Sequence, residues 1–113
     1  MNLTINGNEQ ELHFGIGFVR ELDNVAGVNK NGIQLGMGLT LTMPSLKSYN
    51  PAALSNVIYA ATVTNSPRPG LGDVDKYLES IASADEVERI FDEVNEEINK
   101  ATMLQTALKN MQA

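Results

Sequence analysis

The pair Asn50-Pro51, opening the run from Asn50 to Thr62, constrains this chain more than any other feature. An asparagine ahead of a helix can accept a hydrogen bond from a free backbone N–H of the first turn. A proline at the first helical position loses nothing, because the N–H there has no partner inside the helix. Behind the pair, Leu54, Val57, Ile58 and Ala61 recur at spacings of three, one and three, which is one helix face. No charged residue interrupts the run, so the helix needs neighbours over most of its surface. Ala53, Ala60 and Ala61 are small enough to let other helices approach closely. A chain of 113 residues is one domain by size, so the remaining segments must supply those neighbours.

The N-terminus supplies a hairpin. Leu3-Thr4-Ile5 and Glu11-Leu12-His13-Phe14 flank Asn6-Gly7-Asn8-Glu9, and Asn-Gly is the strongest short turn signal. A hairpin of this size needs helices to lie on. Phe14, Phe18, Leu22 and Val25 then predict a helix from about Ile16 to Val25, ended by Gly27. Val28 to Gly32 reads as a polar turn. Residues 33–48 carry two periods at once. Ile33, Leu35, Met37, Leu39, Leu41 and Met43 alternate as in a strand, whereas Leu39, Met43 and Leu46 fit a helix. The helix is preferred over Gly38–Ser48, with a bend at Pro44. Asn65 to Gly72 is a loop rich in Pro, Gly and Ser. Asp73 is expected to cap a short helix bearing Val74, Tyr77, Leu78 and Ile81. Ser83 or Asp85 caps a longer one, along which Val87, Ile90, Phe91, Val94 and Ile98 repeat. The fold class is therefore mainly α: a small domain of four to five helices with an N-terminal β-hairpin. Residues 1–98 are expected to form the compact domain. Residues 99–113 read as a C-terminal helical tail that orders against a partner.

Charge and composition narrow the function. The net charge is −6, and residues 66–100 alone hold ten acidic against four basic side chains. Phosphate backbones would be repelled by such a block, which argues against nucleic-acid binding. No apolar run approaches the roughly 20 residues that span a bilayer, and Met1 to Ile5 lacks the basic start of a signal peptide. No cysteine and only one histidine, His13, are present, so thiolate and multi-histidine metal sites are excluded. The carboxylates of residues 85–97 lack calcium-loop spacing and read as a hydrated helix face. Gly36-Met37-Gly38 lacks the strand–loop–helix context of a phosphate loop. No serine is paired with a plausible base. No catalytic, cofactor or metal residues emerge, and an enzyme is the least supported class. Methionines are more often core fillers than contact surfaces, but Met103 and Met111 fall in the sparse tail and suit partner contact better.

Four stretches resemble the tail assembly chaperones of long-tailed, siphovirus-type phages of Gram-positive bacteria. They are Leu3–Gly7 with Leu12–Leu22, Gly32–Leu39, Asn50–Thr62, and the spaced pair Val74–Leu78 and Val87–Val94. The resemblance implies a small, non-enzymatic helical protein that binds and solubilises the tape measure protein and helps recruit tail tube subunits. It also implies a longer frameshifted form of the same chain, self-association into a homo-oligomer, action in the bacterial host cytoplasm, and absence from the mature virion. It carries no cofactor and no agreed catalytic residues. From the apolar tail stripe, Phe91, Val94, Ile98, Leu104 and Leu108 are expected to contribute partner or self contacts. Closure of the monomer core by Phe91, Val94 and Ile98 is the competing reading. The alternative function is a structural tail-completion or head–tail connector protein retained in the virion.

Overall fold

A computed structural model of the chain describes residues 1–111. The order is β1 (Asn2–Ile5), β2 (Asn8–Glu11), α1 (Ile16–Ala26), β3 (Val28–Lys30), β4 (Ile33–Gly36), α2 (Gly38–Lys47), α3 (Pro51–Ala61), α4 (Leu71–Glu79), α5 (Ala84–Lys100), a 3-10 turn (Thr102–Leu104) and α6 (Gln105–Met111). The two strand pairs are separate antiparallel hairpins. The mainly helical class with an N-terminal hairpin is as expected, with a sixth short helix at the end.

The central helix is α3. The Asn50 side chain accepts from the N–H groups of Ala52 (2.9 Å) and Ala53 (3.3 Å), and Pro51 sits in the first turn. Seven of its eleven residues are buried, among them Leu54, Val57, Ile58 and Ala61. It packs against α1, α2 and α4. Its far end is closed by the Arg68 guanidinium, which donates to the Tyr59 carbonyl (3.1 Å), lies 3.8 Å over the Tyr59 ring and pairs with Glu21 of α1 (2.7 Å). A cation suits the negative end of a helix. The same loop is tied to β2: buried Gln10 donates to the Pro67 carbonyl (3.0 Å) and accepts from Asn65 (2.9 Å).

Several expectations need correction. The first turn takes only Asn6 and Gly7, both at positive φ, so Asn8 pairs with Ile5 and the second strand is Asn8–Glu11 rather than Glu11–Phe14. Leu12 is still buried, but His13 is held by its backbone N–H on the Ala61 carbonyl (2.9 Å), beyond the strand. Residues 28–36 are a second hairpin, turned at Asn31-Gly32 with φ of 55° and 78°, so the alternating pattern was a strand as far as Gly36. From Gly38 the helical period takes over, with Pro44 accommodated inside α2. In α4 the first helical residue is Leu71, and Asp73 caps from inside the helix by accepting the Gly70 N–H (2.9 Å). Ser83, not Asp85, is the cap of α5.

Gly27 ends α1 as expected, but in extended rather than left-handed geometry. Its requirement is space: a Cβ there would lie 2.4 Å from the Asp23 carbonyl oxygen and 2.6 Å from that of Gly36. Gly38 is equally tight, because a Cβ would come within 2.7 Å of the Leu22 carbonyl carbon and oxygen. These are backbone atoms that cannot swing aside. Gly38→Ala is therefore expected to cost about 1–3 kcal/mol by overpacking, measured by urea unfolding. A stability equal to the parent would contradict the close α1–α2 contact.

Candidate functional site

The five residues singled out from the tail stripe lie inside the protomer. Phe91, Val94 and Ile98 form the inner face of α5, Leu104 ends the 3-10 turn, and Leu108 lies on α6; all five are buried in one apolar cluster. α5 ends at Lys100, Ala101 is extended, and the Gln105 side chain donates to the Ala101 carbonyl (3.2 Å). A partner could reach Val94 or Ile98 only if this packing opened, whereas Phe91 also borders a surface groove beside Tyr49. Met103 is exposed and Met111 half-buried. Residues 112 and 113 of the expected tail lie outside the described residues.

Four of the eight large exposed hydrophobics among the described residues fall elsewhere, in one stretch of chain. Ile33 is 62% exposed, Leu35 53%, Met37 51% and Leu41 46%. They follow one another from β4 into the first turn of α2, and their exposure has a definite cause. The Gln34 side chain donates to the Asp23 carbonyl at the end of α1 (2.7 Å) and accepts the Gly36 N–H (2.8 Å). The even-numbered side of β4 is thus turned to α1, and strand alternation sends Ile33 and Leu35 outward. Gln34 is itself exposed, so neither face of β4 is buried. Two residues later the Asp23 carboxylate accepts the Gly38 N–H (2.9 Å) and caps α2 in place of a local side chain. Met37 bridges the two elements at φ 69°, and Leu41 stands one helical turn beyond it on the same face. Met43 fills the core as a methionine commonly does, whereas Met37 does not. The signal available in the sequence was the two-residue period over 33–37, which showed one apolar strand face without showing which way it pointed.

A second surface feature lies where α2 ends. Tyr49 is at φ 62°, and its ring meets Phe91 edge-on at 5.3 Å. Its hydroxyl donates to the Asp92 carboxylate at 2.9 Å. That hydrogen bond, then the Asp92 charge, and more weakly partial burial and Glu88, push the phenol above its ordinary range. His13 is exposed, and among the described residues no group of His, Asp or Glu is placed to hold a metal ion. No helix there is long and apolar enough to cross a membrane.

Two measurements test this geometry. Leu104→Ala should destabilise by about 2–4 kcal/mol, as for a fully buried leucine, in chemical denaturation; a change under about 1 kcal/mol would mean that the C-terminal segment does not pack. In a Tyr59→Phe/Tyr77→Phe background, absorbance titration should show the Tyr49 phenol above the ordinary range and moving down towards it on Asp92→Asn. Because the folded phenol titrates higher than the unfolded one, its stabilisation is complete below the unfolded pKa and disappears as pH rises through the folded pKa. An unchanged titration in Asp92→Asn would contradict the hydrogen bond.

The family model described as phage tail assembly chaperone protein matches residues 2–112. No curated protein and no solved structure matches the chain.

Proposed function

The chain belongs to the phage tail assembly chaperone family, and from that premise we propose that it binds the tape measure protein, keeps it in solution and helps bring tail tube subunits to it. The observation that carries this reading is the outward strip Ile33, Leu35, Met37 and Leu41. A client whose helical apolar faces are bare before assembly needs a complementary apolar surface, and contiguous exposed apolar side chains mark such interaction sites. The work is holding rather than chemistry, in keeping with a chaperone's non-enzymatic role.

The magnitudes say how such binding operates. Fully burying a large aliphatic side chain contributes about 1.5–3 kcal/mol, so completing the burial of four half-exposed ones gives roughly 4 kcal/mol. Alone that corresponds to about a millimolar dissociation constant, before the costs of association are counted. One copy therefore binds weakly. Several copies along one long client, including a homo-oligomer or a longer frameshifted form of the same chain, gain by multivalency. The net negative charge of −6 keeps the loaded client dispersed.

The second reading places contacts at Phe91, Val94, Ile98, Leu104 and Leu108. What favours it is the modest anchoring of residues 102–111: within this segment only Leu104 and Leu108 are buried hydrophobics. If that segment lifts, a client helix can take its place on α5.

Co-expression with the tape measure gene separates these readings. Ile33→Asp/Leu41→Glu should reduce soluble tape measure severalfold, while the variant itself keeps the parent's melting temperature, because exposed substitutions change stability by only about 0.5 kcal/mol. Undiminished solubility would overturn the strip as the client site. Loss instead on deleting residues 102–113 would favour the C-terminal reading. Mass spectrometry of purified particles should lack the protein, as for a factor of assembly acting in the host cytoplasm. A stoichiometric copy there would instead support a tail-completion or connector protein.

A further inference from the structure

A groove of about 480 Å³ opens beside the end of α2, lined by Tyr49, Ala84, Val87, Glu88 and Phe91. Its floor on α5 follows helical spacing, with Ala84, Val87 and Phe91 at i, i+3 and i+7. Asp85, Glu88 and Asp92 repeat the same spacing one residue further on, so an acidic rail runs beside the apolar floor. Tyr49 forms the opposite wall, with its ring against Phe91, its hydroxyl on Asp92 and nearly half its surface, 47%, exposed.

The rail is electrostatically unbalanced. Three of the four other acids of α5 have cations: Glu86 pairs with Arg89, Glu96 with Lys100 at 2.7 Å, and Glu97 with the N-terminal amine at 3.7 Å; Glu93 has none among the described residues. Among the described residues no ion pair takes up Asp85, Glu88 or Asp92. Like charges at this spacing repel one another along a helix. The positive end of the helix favours Asp85 in the first turn, but its effect fades before Asp92 is reached. Tyr49 also holds a left-handed backbone that is unfavourable for a bulky residue. An apolar floor, an aromatic wall and one uncompensated charged edge are complementary to a helix that is apolar on one side and cationic along its border.

We propose that this groove seats an amphipathic helix of the client, with apolar residues on Tyr49, Val87 and Phe91 and lysine or arginine side chains directed at Asp85, Glu88 and Asp92. The proposal rests on the client-binding reading above and adds the side chains that the client must present. Exposed rim charges act mainly on selectivity and encounter, so the preference for cationic partners should depend on salt.

The test uses the full chain and two synthetic 18-residue leucine-faced helices, one with lysine and one with glutamate along the polar border, titrated calorimetrically. The lysine peptide should bind about tenfold tighter than the glutamate peptide at low salt. Glu88→Lys should remove most of that preference. Glu79→Lys, an equal charge change on exposed α4, should leave it within about twofold. Glu88→Gln serves as the second variant if the reversal impairs folding, and should lower the preference part of the way. Equal binding of the two peptides, or equal weakening by Glu88→Lys and Glu79→Lys, would overturn the groove and leave only long-range attraction. The peptides involve no tail protein. Failure here with intact client solubilisation therefore leaves the client reading standing, and success here with failed solubilisation removes that reading alone.

Discussion

The fold turns on Asp23. Its backbone carbonyl accepts the Gln34 side chain and its carboxylate accepts the Gly38 N–H, so one residue at the end of α1 fixes the exit of β4 and the start of α2. Gly27 and Gly38 make room for this junction, since a Cβ at either would strike backbone. The consequence for function is direct. With Gln34 tied to α1 at the surface, Ile33 and Leu35 on the other side of β4 face solvent, and Met37 and Leu41 continue that exposure onto the next helix. An apolar surface that a monomer would ordinarily hide is held open by hydrogen bonds, and its cost is borne by the rest of the core.

That core could be read from local rules because its elements begin and end on local chemistry. Asn50 caps α3, Ser83 caps α5, and Asn6-Gly7 turns the first hairpin, each through atoms within a few residues. The failures share one physical cause, which is that periodicity gives a face but not what the face meets. Ile33, Leu35 and Met37 alternate correctly for a strand, yet outward, because Gln34 is claimed by a carbonyl eleven residues away. Phe91, Val94, Ile98, Leu104 and Leu108 form the expected stripe, and in the protomer all five are buried in its own core. Arg68 and Gln10, which tie the loop after α3 to α1 and β2, had no local signal at all.

The arrangement suits a holding protein. A buried centre around α3 leaves apolar surface at the second hairpin and an acidic edge on α5. Under the proposed function, weak contacts repeated along a long client would hold it in solution while allowing tube subunits to displace the holder. A single high-affinity pocket would oppose that displacement.

The account is tested most directly by amide hydrogen exchange on the protein, alone and in its co-purified complex with the tape measure protein. Slower exchange over residues 28–49 in the complex, with residues 102–111 unchanged, is the predicted result. Unaltered exchange over 28–49, with faster exchange over 102–111, would contradict it and would place the client on the face of α5 that the C-terminal segment now covers.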